Sequence, residues 1–533
     1  MSSEGLTLCP YCGTGCGLAV SVKDGRVARV AGDRRYPVNR GRTCRKPTEL
    51  ASAVHAADRA TVPLLRSSRD LPFAEASWDD ALGTVAGRLR RIVAESGPDA
   101  VAFYVSGQLL TEDYYAACKL AKGFLGTNNV DSNSRLCMSS AVAGYTGAFG
   151  SDGPPPAYAD LDLADCLLLL GSNAAACHPI LWGRIRDRQA AGARVIVADP
   201  RVTPTAQAAD LHLPVRPGTD LPLLNALLHV VERDGLLDTG FVRARTSGFE
   251  DALEVARLWP PARASEVCGV PPADIERAAE WFGAAGAAMT LWSMGANQST
   301  VGTLKNRALI NLCLATGNLG RPGAGPLSLT GQPNAMGGRE VGGLAHLLPG
   351  YRRVDDAAHR AEVAVHWGLP PEALSGVPGL SATEVVDGLL DGRVRAVLVA
   401  ATNPVVSLPD GGRVREAFER AELLVVQDCH HPTETSALAH AVLPSAAWPE
   451  KDGTMTNSER RVGLVRKLVD PPGEARPDWR IYAGLAAALG HRDAFAWPSG
   501  AAVYDEWAAL TAGRPCDVTG VSHERLRREG SVQ

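Results

Sequence analysis

Four cysteines in the first 44 residues constrain this chain more than any other feature. Their spacing is Cys9-x2-Cys12-x3-Cys16-x27-Cys44. Four thiolates hold either an iron–sulfur cubane or a zinc ion. Structural zinc sites pair two Cys-x2-Cys knuckles. Three clustered cysteines and one distant one fit a 4Fe–4S cluster better, with the short loop wrapping three corners and the distant residue closing the fourth. Gly13, Gly15 and Gly17 allow the tight turns this needs. The chain carries 12 cysteines in 533 residues. That is too sparse for a disulfide scaffold, so the grouping reads as ligation.

After this segment the pattern changes. Leu18 to Val30 holds two short β-like runs around Lys23-Asp24-Gly25, a hairpin signal. Asp79 to Val93 places Ala81, Leu82, Val85, Leu89 and Val93 on one helical face. Continuous apolar runs then alternate with helical patterns: AVAFYVSG (100–107), CLLLLGSN (166–173), ARVIVADP (193–200), AVLVAATNP (396–404) and LLVVQDCHHP (423–432). Strands of this kind are buried on both faces, which predicts an α/β protein with two doubly wound parallel sheets. Residues 318–350 form a Gly-rich stretch with few helix or strand signals. Such a loop inside a compact region reads as functional, and Ser328, Thr330, Gln332, Asn334 and Arg339 suit a cofactor or anion site.

The formal net charge is −4, so nothing global points to nucleic acid or an anionic membrane as partner. No run reaches the ~20 apolar residues of a membrane span. Met1 to Pro10 shows neither a secretory pattern nor a twin-arginine signal, which predicts a cytoplasmic location. No GxGxxG fingerprint is present, so a nicotinamide-binding unit is not supported. The strand-end loops at 171–179, 199–205 and 216–220 still offer ligand contacts. Asp199 stands where an acidic residue can bind ribose hydroxyls, and Asp220 where it can pair with a guanine edge. Turn capping is the bland alternative for both. Composition alone makes Cys137 a buried core thiol and Lys46 a solvated surface lysine.

At Cys44 a resemblance becomes specific. CPYCGTGCGLAVSVKDGRVARVAGD followed by GRTCRKP resembles the N-terminus of the molybdopterin bis-guanine-dinucleotide oxidoreductases, which include formate dehydrogenases and periplasmic and assimilatory nitrate reductases. The resemblance implies a multi-domain molybdopterin oxidoreductase fold with a small 4Fe–4S domain, and a molybdenum bis(molybdopterin guanine dinucleotide) cofactor. It puts Lys46 on the electron path between cluster and pterin, and Cys137, in NSRLCMSSAVAGY, on molybdenum. Pro47 stands where the family usually has Gly, so the turn there is expected to differ. Met138 follows the ligand, where formate dehydrogenases typically carry His. SMGANQST (293–300) likewise lacks their Gln-His pair. Residues 308–352 resemble bacterial assimilatory nitrate reductases, which implies that Met138, Met294, Gln332 and Arg339 line the route to the metal. The bland reading of Arg339 is helix capping or an ion pair with Glu340. Asn173, His178, Asp199 and Asp220 are implied contacts of one guanine dinucleotide, and Asn403 and Asp428 of the other.

The expected organisation is therefore a cluster domain at 1–57, a discontinuous α/β domain at 58–134 and 340–475, and a Rossmann-like domain at 135–339. Residues 476–533 are expected to be a remnant preceding a missing C-terminal cofactor-binding domain, because family members continue there. The implied activity is reduction of nitrate to nitrite. Electrons would come from a ferredoxin, a flavodoxin or an NADH-dependent flavoprotein subunit. The rival readings are a formate dehydrogenase-like molybdoenzyme and an inactive cluster-binding homologue.

Overall fold

The computed structural model describes residues 2–533. The N-terminal strands Ser2–Leu8, Gly17–Lys23 and Arg26–Gly32 form an antiparallel sheet. Asp24 and Gly25 both take positive φ, 50° and 73°, the backbone of a two-residue hairpin turn. The cysteine loop is strung between the first two strands, and Cys9 N–H donates to Cys16 O at 2.8 Å.

Two parallel sheets carry the rest. In the first, the strands lie in the order Leu211–Leu213, Arg194–Ala198, Cys166–Leu170, Ala288–Trp292, Gly325–Ser328. Every neighbouring pair is parallel. In chain order this is 3-2-1-4-5, so the winding reverses between Cys166–Leu170 and Ala288–Trp292. The second sheet has seven strands. Its five parallel members run Ala441–Pro444, Leu423–Asp428, Ala396–Ala400, Val101–Val105, Val130–Ser132. In chain order this is 5-4-3-1-2, with the reversal between Val101–Val105 and Ala396–Ala400. Two short antiparallel strands, Leu64–Leu65 and Ala74–Glu75, extend one edge. The runs CLLLL, AVLVA and VAFYV are buried at every residue, as expected where helices cover both faces.

Local signals explain the helices. Ser77 Oγ accepts from Asp80 N–H at 3.1 Å and caps Trp78–Ser96. That helix buries Ala81, Leu82, Val85, Leu89 and Ile92, and stops at Gly97 with φ 80°. One expectation needs correction. The Gly-rich stretch is not an open loop: it holds the buried edge strand Gly325–Ser328 and the buried helix Ala335–Glu340. Residues 476–533 pack into the fold. The helices Asp478–Leu489, Gly500–Ala509 and His523–Glu529 bury Tyr482, Tyr504, Trp507 and Leu526 in the same core as Trp78 and Tyr115. Ser531–Val532 pairs with Val462–Val465. Buried ion pairs fasten the segment: His523 Nε2 meets Glu112 at 2.7 Å, and Lys451 bridges Asp113, at 2.7 Å, and Asp478. No helix among the described residues is long and apolar enough to cross a membrane.

Candidate active site between two sheet crevices

In open α/β sheets, ligands bind outside the carboxyl ends of the strands where the winding reverses. The first sheet has a cavity there of about 530 Å³. Gly171, Ser172 and Asn173 follow one strand of the reversal, and Ser293, Met294 and Gly295 follow the other. Gly171 has φ +54°, and a Cβ on it would stand 2.7 Å from the Gly295 carbonyl carbon. Only glycine permits that approach. Asp199, Asp220, Gln298 and Lys305 also line the cavity.

Several of these groups are already engaged. Asn173 Oδ1 accepts from Thr205 Oγ1 at 2.9 Å, and Asp199 Oδ1 accepts from Arg201 N–H at 2.9 Å. Asp220 forms an ion pair with buried Lys305 at 2.5 Å, a partner that sequence reasoning missed. Others are open. Ser172 Oγ, His178 Nδ1 and Gln332 Oε1 are buried with no hydrogen-bond partner among the described residues. His178 Nε2 lies 2.8 Å from Thr330 O. A carbonyl only accepts, so Nε2 carries the hydrogen and Nδ1 is left as an acceptor. Burial pushes the His178 pKa down to about 4, so the ring is neutral. Orphaned polar atoms of this kind call for a polar ligand.

At the second reversal the strands Val101–Val105 and Ala396–Ala400 lead into Ser106–Gly107 and Ala401–Asn403. Gln332 fills this crevice: a Cβ on Gly107 would lie 2.1 Å from Gln332 Oε1. Asn403 Oδ1 accepts from Thr435 Oγ1 at 2.7 Å, and Asn403 Nδ2 donates to Glu434 at 2.6 Å. Asp428 accepts from the Cys429 and His430 amides. Asn403 is thus spent on the neighbouring strand-end loop and Asp428 on its own. His430 and His431 bond Asp58 and Ser436.

One backbone segment joins the two crevices. Thr330-Gly331-Gln332 leaves the edge strand of the first sheet and inserts Gln332 into the second. Gly331 lies between them, its Cβ position 3.5 Å from both Cys137 Sγ and Met294 Sδ. Cys137 is brought there by the short helix Ser134–Cys137 that follows Val130–Ser132. Burial pushes its thiol pKa up, and the Gly331 amide and Arg339 charge partly offset this. A soft sulfur donor beside space held open by Gly331, on the segment that carries the unpartnered Gln332 Oε1, fits a metal carried by a polar organic cofactor.

Met138 and Arg339 are placed differently from the expectation. Met138 is buried in the core with Trp292, and its Sδ accepts from Asn297 Nδ2 at 3.5 Å. It supports the Cys137 turn instead of walling an open route. Arg339 pairs with Asp152, not Glu340. The Nε–Oδ2 distance is 2.7 Å, both side chains are buried, and Tyr351 Oη donates to the same carboxylate at 2.9 Å. Burial opposes the guanidinium charge, but Asp152 outweighs it and keeps Arg339 protonated. Burial raises the Glu340 pKa to about 7, and Thr456 Oγ1 donates to it at 3.0 Å. No local signal distinguished Asp152 from other loop aspartates.

Cys9, Cys12, Cys16 and Cys44 line one cavity with Tyr11, Lys46, Pro179 and Ile180. All four are free thiols. Burial first, and then neighbouring Cys12, push the Cys9 pKa up to about 12. Burial likewise pushes the Cys16 thiol up. Four thiols around one cavity suit an iron–sulfur core. Pro179 and Ile180 open the helix Pro179–Ala190, so the positive end of its dipole faces the cavity. Pro47 is the second residue of a short 3₁₀ turn, Lys46–Glu49. Lys46 Nζ donates to Cys177 O at 2.8 Å, linking the cluster site to the first crevice. Gly13 N–H donates to Gly331 O at 3.3 Å, so the cluster loop touches the segment that holds Cys137.

The comparisons agree with this geometry. Residues 59–488 match the family model for molybdopterin oxidoreductase, and residues 5–56 match that for the molybdopterin oxidoreductase Fe4S4 domain. A nitrate reductase of Synechocystis sp. is 47% identical over 99% of this chain and 75% of its own length. One of Klebsiella oxytoca is 46% identical over 96% of this chain and 57% of its own length. The alpha subunit of an F420-dependent formate dehydrogenase of Methanocaldococcus jannaschii is 38% identical over 98% and 75%. Acetylene hydratase from Pelobacter acetylenicus superposes with a TM-score of 0.82 at 22% identity, covering 99% of this chain and 74% of that one, a likeness of fold alone. With its 4Fe–4S and molybdopterin segments both matched, the chain belongs to the molybdopterin oxidoreductase family.

Proposed function

We propose that this protein reduces nitrate to nitrite: nitrate, two protons and two electrons give nitrite and water. The observation that carries the reading is the meeting of Cys137 and Met294 around Gly331, in backbone contact with the cluster loop. The relatives named nitrate reductases, 47% and 46% identical, support the choice of substrate. When bound, the molybdenum bis(molybdopterin guanine dinucleotide) supplies the two-electron chemistry that removes one oxygen from nitrate, and the cluster supplies electrons one at a time.

The chain's own residues have distinct tasks. Cys9, Cys12, Cys16 and Cys44 would hold the cluster, and Cys137 Sγ would hold the metal. Asn173, Asp199 and Asp220 lie where one guanine dinucleotide would bind, and Asn403 and Asp428 beside the other. Lys46 joins cluster loop to pterin crevice through Cys177 O. Arg339, held by Asp152 and Ala335 O, is near enough for its charge to bear on Cys137. Gln332 offers an amide at the floor of the second crevice, and Met294 excludes water. Glu340 holds a proton near neutral pH beside Arg339. Resemblance in residues 308–352 supports an assimilatory, cytoplasmic role with a ferredoxin, flavodoxin or flavoprotein donor.

The test is nitrite production by cofactor-loaded protein with a reduced viologen dye, together with metal analysis of the Cys137→Ala variant. The expected result is nitrite from the parent protein and none from the variant. Formate oxidation without nitrate reduction would assign the site to the formate dehydrogenase side of the family instead.

A further inference from the structure

Two cavities meet behind Arg339. The larger, about 690 Å³, reaches Ser139 and Ser140, the start of the helix Ser139–Phe149 that follows Cys137 and Met138. The smaller, about 300 Å³, lies between the helix Ala335–Glu340 and the loop that follows Gly500–Ala509. Asp152 and Tyr351 line both cavities, so ionisable groups form part of the wall between them. Tyr351 Oη donates to Asp152 Oδ2 at 2.9 Å, and Arg339 Nε donates to the same oxygen at 2.7 Å.

The smaller cavity opens outward: Arg460, Asp517, Gly520 and Gln533 on its lining are exposed. Its size and polar lining give room for a chain of waters. Glu340 also lines it, yet is only 6% exposed. Carboxylates are seldom buried unless paired, and Glu340 makes no ion pair among the described residues, because Arg339 is committed to Asp152. Thr456 Oγ1 donates to Glu340 Oε2 at 3.0 Å. Arg460, from the turn before the strand Val462–Val465, adds a nearby positive charge. Asp152, Tyr351, Tyr504 of the helix Gly500–Ala509 and Cys516 beyond it are the other ionisable groups around the carboxyl. Tyr504 is also within electrostatic reach of Glu112, which is itself paired with His523. Burial outweighs Thr456 and the arginines and raises the Glu340 pKa to about 7, so this carboxyl exchanges its proton in the neutral range.

From this arrangement we infer that the smaller cavity is the proton entrance of the active site, where Glu340 takes protons from water and Tyr351 and Asp152 pass them through the shared wall to the larger cavity. The inference rests on the nitrate reading, in which each nitrate consumes two protons. In one passage the Glu340 O–H bond breaks and its proton joins the cavity water. That water gives a proton to Tyr351 Oη while Tyr351 gives its own to Asp152. Asp152 releases the proton on the other side, and water at the cavity mouth reprotonates Glu340. Two passages serve each nitrate, and no electron moves in either. Glu340 acts through other groups and is a positioning residue for the proton.

The experiment uses cofactor-loaded protein and the variant Glu340→Gln, which keeps the side-chain size and an acceptor for Thr456. Without nitrate, infrared spectra of the parent are expected to show a carboxyl C=O band that is present at about pH 6, lost by about pH 8 and missing from the variant. With nitrate and a reduced viologen dye, kcat of the variant should fall at least about tenfold at about pH 6 with KM unchanged. The parent's kcat should decline as pH rises through about 7, and the two should converge above it. Imidazolium, a small proton donor, should restore the variant's rate and leave the parent's unchanged. Tyr351→Phe, which removes the hydroxyl from the shared wall, should show the same fall. Absence of the carboxyl band at about pH 6 overturns the inference, as does a parental kcat in Glu340→Gln. A loss that is equal at every pH and unrelieved by imidazolium marks a merely structural role and also overturns it. A parent that oxidises formate and not nitrate sinks the nitrate reading alone. The proton then runs outward, and a tenfold loss on formate above about pH 7, relieved by imidazole, supports the inference. An unaltered formate rate in the variant overturns it.

Discussion

The two crevices follow one topological rule but are prepared differently. The crevice of the five-stranded sheet is open, with about 530 Å³ of space and Ser172 Oγ unpartnered on its wall. That of the seven-stranded sheet is plugged by Gln332, with Asn403 bonded to Thr435 of the neighbouring strand-end loop and Asp428 to the Cys429 amide of its own. The difference comes from rigidity. Gly171 meets Gly295 backbone to backbone, so that wall cannot relax. Gly107 meets the end of a flexible side chain, so Gln332 can swing aside for a ligand. One site is built before the cofactor arrives, and the other is completed by it.

Breaking the buried Lys305–Asp220 pair should have the largest effect on stability. Lys305→Met leaves a buried carboxylate without its partner, a loss of about 3–5 kcal/mol, read by chemical denaturation of cofactor-loaded protein. Gly171→Ala comes next. Its Cβ would be driven into the Gly295 backbone and its φ is unfavourable for alanine, so overpacking of about 1–3 kcal/mol is expected, with loss of bound guanine nucleotide on acid extraction. Gly107→Ala should invert this pattern. It pushes only Gln332, so stability should change by less than about 1 kcal/mol while turnover falls at least about tenfold through misplacement at the reacting centre. Equal stability losses at the two glycines would remove the distinction between a rigid wall and a movable one.

The smallest effect is a pH dependence. His440, buried beside the strand Ala441–Pro444, has its pKa lowered to about 3 by burial and then by Arg69. Its Nδ1 accepts from Leu424 N–H at 3.0 Å. Because the folded pKa lies below the ordinary value of about 6.5, the unfolded chain binds more protons between these limits. The stabilisation is complete above about pH 6.5 and is lost as pH falls toward 3. A His440→Gln variant should show a shallower fall in melting temperature across that range by calorimetry.

Much of the fold was legible because its signals are local. The apolar runs at 166–170, 194–198, 396–400 and 423–428 became the sheet strands, and the Lys23-Asp24-Gly25 hairpin formed as read. The cysteine spacing needed no tertiary information to suggest a cluster. The Gly-rich stretch was misjudged as open loop because its burial comes from two sheets distant in sequence. In residues 476–533 nothing local reveals that Trp507 and Tyr504 complete a core begun at Trp78.

The site divides in the same way. Which residues can carry the chemistry is readable along the chain, because thiol, guanidinium and amide are properties of side chains and their spacing. Which of them meet depends on the three-dimensional packing. Arg339 found Asp152 and not adjacent Glu340, because the helix Ala335–Glu340 points the two side chains to different neighbours. Met138 turned into the core, and Gln332 crossed to the other sheet. Such pairings depend on where the winding of each sheet reverses, and that reversal is fixed by long-range strand order, which no local run of residues encodes.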